Sequence, residues 1–125
     1  MNILLIAIGG AIGAVLRYLI TDASAFLLKS AFPLGIFLVN FGGCFLMGVV
    51  HFVIIHHLQS LSHEVRLLVA TGLLGGFTTF SAFGLDVLRL ASAGQWQMAA
   101  IYAFTSLFLC ILAVFCGYYL MKVAF

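Results

Sequence analysis

Where 66% of residues are hydrophobic and only 6% are charged, a polar side chain inside an apolar run needs a reason to be there. The densest such set is Gly72-Leu73-Leu74-Gly75-Gly76-Phe77-Thr78-Thr79-Phe80-Ser81-Ala82-Phe83. Adjacent glycines weaken helix continuation by about 1 kcal/mol each relative to alanine. A break here would expose carbonyl and amide groups, which is how many transporters build ion sites. The competing reading is an intact helix whose Ser and Thr hydroxyls bond back to its own carbonyls. Phe80 and Phe83 are three apart and share a face if the segment after the break is helical. Aromatic ring edges carry partial positive charge and can meet an anion without a formal charge. The plainer alternative is that both rings are core or lipid-facing.

Other polar groups are fewer. Asn40 can donate its amide to an anion or make an interhelical hydrogen bond worth about 0.6 kcal/mol. Tyr102, Thr105, Ser106 and Cys110 fall on one helical stripe. Hydroxyls in such a row can replace an anion's water or serve as packing contacts between helices. Arg17 either snorkels to the interface or forms an anion-attracting vestibule. Asp86 is expected to pair with a basic group. His51, His56, His57 and His63 cluster at or near the end of one apolar run, as interfacial residues rather than haem ligands. Cys44, Cys110 and Cys116 show no C-x-x-C or Cys/His ligand spacing and read as small buried hydrophobes.

The elements that must hold these groups follow from charge spacing. Residues 30–63, 67–85 and 90–121 contain no Asp, Glu, Lys or Arg. A soluble domain carries roughly 25% charged residues, and a helix needs about 20 apolar residues to cross a bilayer. The chain therefore reads as an all-α membrane protein, one membrane domain over residues 1–125, with spans at roughly 3–22, 33–57, 65–89 and 98–121. Pro33 suits the first turn of the second helix. The first span lacks the basic lead and cleavage site of a signal peptide, so it is expected to stay. Gly9 with Gly13 and Gly72 with Gly76 form G-x-x-x-G pairs, and Gly42, Gly43 and Gly48 are expected to bring the second helix close to a neighbour. The net charge of +2 is too small and scattered for nucleic acid. Four spans put both termini on one side, with Arg66 and Lys122; Arg17, Lys29 and Arg89 fall on the other. So small a bias barely selects an orientation. Insertion both ways up, as an antiparallel dimer needs, stands beside one fixed but weakly biased orientation.

Three stretches resemble the CrcB/Fluc family of small fluoride channels, and the likeness runs over essentially the whole chain. They are Gly9-Gly10-Ala11-Ile12-Gly13-Ala14-Val15-Leu16-Arg17-Tyr18, then Val39-Asn40-Phe41-Gly42 with Gly48, and Gly75-Gly76-Phe77-Thr78-Thr79-Phe80-Ser81-Ala82-Phe83. The resemblance implies a multi-pass protein of the bacterial inner membrane, working as an antiparallel dual-topology homodimer with a third helix broken mid-membrane. It implies fluoride pores lined by Asn40, Thr79, Phe80, Ser81, Phe83, Tyr102 and Ser106, with Arg17 near the vestibule. It also implies a structural Na⁺ at the dimer centre, held by the main-chain carbonyls of Gly75 and Thr78. Ile36, Ala82 and Cys110 depart from the family's usual threonine, threonine and hydroxyl.

On this reading the protein passes fluoride out of the cell and protects it from fluoride toxicity, and it is not an enzyme. No nucleophile, acid–base pair or metal cluster argues otherwise. Two alternatives stand beside it. A small multidrug-type antiporter needs a carboxylate within its first span, where this chain has only Asp22 at the end. A non-conducting assembly subunit would account for the glycines but not for Asn40 with the Gly-Thr-Phe cluster.

Overall fold

The computed structural model describes residues 1–60 and 62–125, with the side chain of Ser62 left aside. Among these residues all regular structure is helical. Four helical segments are long and apolar enough to cross a membrane: Asn2–Leu28, Leu34–His56, His63–Ser92 and Trp96–Ala124. The first is α1, the second α2. The third segment comprises α3 (Ser62–Val65), a wider π-type stretch (Arg66–Leu74), α4 (Gly75–Phe77) and α5 (Phe80–Ser92). The last is α6 (Trp96–Ala124).

Each segment overlaps the span expected from sequence, and each differs at its ends. The first helix runs six residues past the expected limit, because Asp22-Ala23-Ser24-Ala25-Phe26-Leu27-Leu28 contains no breaker. It stops at Lys29, whose backbone is left-handed (φ 33°, ψ 41°). At 1.5 Å per residue, 27 residues make about 40 Å, longer than a hydrocarbon core of roughly 30 Å. The final helix likewise starts at Trp96 and ends at Ala124, outside the expected 98–121.

The segments pack as two parallel pairs. Along α1 and the third segment the partners advance together: Asn2 lies against His63, Gly13 against Leu73 and Phe77, and Arg17 against Thr78. Along α2 and α6, Gly48 meets Val114, the Phe52 and Tyr118 rings lie 5.6 Å apart, and the His57 and Phe125 rings 6.0 Å apart.

Glycine makes both approaches possible. A Cβ on Gly9 would overlap the Leu68 carbonyl oxygen, and one on Gly13 the Leu73 carbonyl oxygen. On the other pair, a Cβ on Gly48 would overlap the carbonyl oxygen of Val114, and one on Gly117 that of Phe45. Gly43 faces Phe77 and Thr78 as closely. Gly42 does not share this role, since a Cβ there would meet nothing within 4 Å. One residue advances about 100° around a helix, which carries Gly42 off the packed face that Gly43 occupies.

The interior is small. Phe83, Leu90, Ala99 and Tyr102 form its main buried cluster, with Phe32, Ile36 and Phe37 packed on it. Most large apolar side chains of α1 and α6 point outward, as lipid or a neighbouring protein surface requires.

Candidate functional site

The third segment leaves helical geometry at Thr78 and Thr79. Their dihedrals are extended, with φ −81°, ψ 156° and φ −153°, ψ 120°. Gly75 and Gly76, where sequence placed the weakest helix, both lie within α4. The cause is a side chain from another helix. Asn40 of α2 donates from Nδ2 to the Thr79 carbonyl (2.9 Å) and accepts from the Thr79 N–H at Oδ1 (2.8 Å). An unbroken helix would send that N–H to the Gly75 carbonyl. Asn40 therefore satisfies both backbone groups of the residue that has left the helix, at a depth where an unpaired group is costly. One of the two amide hydrogens remains for another acceptor.

Thr79 then starts the next helix. Its Oγ1 accepts from the Ala82 N–H at 3.2 Å, a side-chain N-cap, and lies 3.2 Å from Ser81 Oγ. Helix α5 thus presents its N-terminal end, with its partial positive charge, beside Asn40. Thr78 is anchored backward: its N–H and its Oγ1 both donate to the Leu74 carbonyl, at 3.0 and 2.9 Å. Its own carbonyl receives Arg17 Nη1 at 3.4 Å. Arg17 thus turns inward to the extended pair.

Beside this junction lies a cavity of about 260 Å³. Asn40, Thr78, Thr79, Phe80, Phe83 and Ser106 line one end, and Cys44, Cys110 and Val114 the other. Ser106 is 5% exposed, and its Oγ has no hydrogen-bond partner among the described residues. A buried hydroxyl without a partner costs free energy unless something polar visits it. The Phe80 and Phe83 rings sit 5.3 Å apart. Phe83 is 7% exposed and Phe80 74%, so one ring belongs to the interior and the other points out of the subunit.

Two expected members lie elsewhere. Tyr102 is fully buried, and its hydroxyl donates to Asp86 Oδ2 at 3.4 Å; it supports Phe83 from behind, ring centroids 5.2 Å apart, without lining the cavity. Ser81 is exposed and is not among the lining residues. Asp86 finds the basic partner expected of it in Arg89, at 3.6 Å. A second cavity, about 440 Å³, opens near the end of α1 and holds Lys29, Asp86 and Arg89 together with Ile36 and Ala82. Lys29 and Arg89 are the basic residues lining it, and Arg17 is not among its lining residues. Sequence reasoning missed the part played by Cys44 and by the α5 N-terminus, because neither is visible until the helices are placed in register.

Four apolar helical segments, with a polar junction within the third and a cavity against it, define a small multi-pass membrane protein. The family model described as "CrcB-like protein, Camphor Resistance (CrcB)" matches residues 4–118, and the chain belongs to that family. It is 46% identical over 116 residues to a protein of Shewanella woodyi named "Fluoride-specific ion channel FluC", covering 93% of this chain and 92% of that one. A Rhizobium etli protein of the same name is 45% identical over 119 residues, covering 95% and 94%.

Proposed function

We propose that this chain is a fluoride-selective channel, not an enzyme, which lets fluoride leave the cell passively and so limits its toxicity. The names of its relatives point to the ion. The observation that carries the reading in this molecule is one cavity lined by Asn40, by the start of α5 and by Ser106, whose buried hydroxyl has no partner among the described residues. A small, strongly hydrated anion needs its water replaced by donors before it enters lipid. The spare Asn40 hydrogen, the Ser106 hydroxyl and the positive helix end are such donors, and none carries a full charge. Neutral donors hold an anion loosely enough for it to move on. The ring edges of Phe80 and Phe83 supply the next partial charge. Thr79 positions Asn40 and the helix end, and Tyr102, held by Asp86, backs Phe83. Direction comes from the membrane: HF entering from an acidic medium ionises inside, and each 100 mV is worth about 2.3 kcal/mol per charge.

The reading includes an antiparallel homodimer. The outward Phe80, the exposed Gly75 and the open face of Gly42 suit coverage by a second copy. A structural Na⁺ fits the same region. Gly75 loses its usual N–H partner to Asn40, and the Thr78 carbonyl has one lone pair beyond that facing Arg17. Hard cations take such oxygen ligands. A bound Na⁺ would supply positive charge that ties the two subunits together.

Proteoliposomes loaded with potassium fluoride test the reading, with release followed by an electrode. Fluoride is expected to leave at least an order of magnitude faster than chloride, which corresponds to rejection of the wrong ion by about 1.4 kcal/mol or more. Phe80→Ile with Phe83→Ile is expected to stop release while the protein still reconstitutes. Release of chloride as fast as fluoride, or full release from the double variant, rejects the proposal.

A further inference from the structure

Helices α2 and α6 run parallel and in register, which places two cysteines at one level. Asn40 and Ser106 line the same cavity, and the rings of Phe52 and Tyr118, twelve residues further along each helix, lie 5.6 Å apart. Cys44 follows Asn40 by four residues, and Cys110 follows Ser106 by four. Residues four apart share a helix face. Both cysteines accordingly line the cavity, on facing helices. Both are half-buried, whereas Cys116 is exposed on the outside of α6.

A thiol is a weak hydrogen-bond donor, so this pair adds little to a path for anions. Two cysteines lining one cavity at the same level fit another ligand class. Soft thiolate ligands select soft metal ions, and such ions with a filled d shell accept two ligands in a line. No group of three or more His, Cys, Asp or Glu side chains gathers among the described residues, so ions that demand a larger ligand set are not served. Ser106, one turn away and with its hydroxyl buried and unpartnered among the described residues, lines the same cavity.

We propose that Cys44 and Cys110 form a two-coordinate site for a thiophilic metal ion, and that the bound ion plugs the cavity. With mercuric ion, present in neutral buffer as its dihydroxide, both S–H bonds break, two S–Hg bonds form and the two protons leave with the two hydroxides as water, with no change of oxidation state. The product, a bis-thiolate of a divalent ion, carries no net charge. That matters where an uncompensated charge is expensive to bury. The pair of thiols is the inference itself; the plugging rests on the proposed reading of the cavity as an ion path.

The test uses the full chain in proteoliposomes, with nitrate as the external anion and mercuric nitrate as the probe. Three readouts are taken: fluoride release, the ultraviolet sulfur-to-mercury charge-transfer band, and free thiols lost per ion bound. One ion per thiol pair, two thiols lost per ion and arrest of fluoride release are expected. Cys44→Ala or Cys110→Ala should weaken the block on the order of 10²-fold relative to each variant's own untreated rate, because the second bond is no longer intramolecular. Cys116→Ala should leave the block intact. The site is refuted if the Cys44→Ala/Cys110→Ala double variant is blocked like the parent, if only Cys116→Ala relieves the block, or if a single thiol is lost per ion in Cys116→Ala. Should the untreated protein release no fluoride, the channel reading fails, while the band and the thiol count still decide the site.

Discussion

Ser106 and Tyr102 lie one turn apart on α6, and both carry buried hydroxyls, yet their surroundings predict opposite behaviour. The Tyr102 hydroxyl is committed to Asp86, and the Ser106 hydroxyl to no described residue. Removing a hydroxyl that has no partner relieves a desolvation cost of about 1–3 kcal/mol. Ser106→Ala is therefore expected to hold or raise the thermal unfolding temperature while cutting fluoride release. A simple packing residue would lose stability and keep its flux. Tyr102→Phe keeps the ring against Phe83 and gives up only the bond to Asp86, which retains Arg89. Its flux is expected to fall less than that of Ser106→Ala; a larger fall would return the tyrosine hydroxyl to the ion path. Sequence put both residues on one polar stripe, which the helix period alone supports. It could not say which hydroxyl was already taken, because Asp86 reaches Tyr102 across sixteen positions.

At the scale of helices, apolar run lengths carried the four segments, and the G-x-x-x-G spacing carried the close contact of α1 with the third segment. The junction was legible as a region but not to the residue. Glycines weaken a helix locally, so intrinsic propensity pointed to Gly75-Gly76. The departure sits at Thr78-Thr79 because Asn40, nearly forty positions away, takes both backbone groups of Thr79. No local signal in either stretch contains that pairing. The same distinction separates the glycines. A methyl on Gly13 would overlap the Leu73 carbonyl oxygen and crowd the Phe77 N, whereas one on Gly42 meets nothing within 4 Å. Backbone cannot rotate away as a side chain can. Gly13→Ala is therefore expected to cost about 1–3 kcal/mol, the range for overpacking, seen as a lower unfolding temperature in detergent. Gly42→Ala is expected to leave the subunit's own unfolding unchanged. If Gly42→Ala weakens association without unfolding the subunit, a partner covers that face. Equal losses for both variants would mean that the helix contacts differ from those described.

For the whole molecule, charge can test the proposed antiparallel pairing of two copies. Arg66 and Lys122 lie on the side of the termini and Lys29 and Arg89 toward the other, while Arg17 turns inward to Thr78. Short-loop Lys and Arg set insertion, so such an even count leaves both orientations accessible. A pore made by antiparallel copies needs both. Gln59→Lys with Ser60→Lys strengthens the side of the termini, and Ala93→Lys with Gln95→Lys the opposite side. All four positions are exposed, in the turns before the third segment and before α6, away from the cavity. Each double variant should insert one way only, as a tag on the C-terminus read from either face would report. Each expressed alone should then lose fluoride release, because parallel copies cannot pair the outward Phe80 and Gly75 faces by the same two-fold relation. The two expressed together should recover it. Full release from either variant alone, with its orientation fixed, would replace the antiparallel pair with a parallel dimer or a working single subunit.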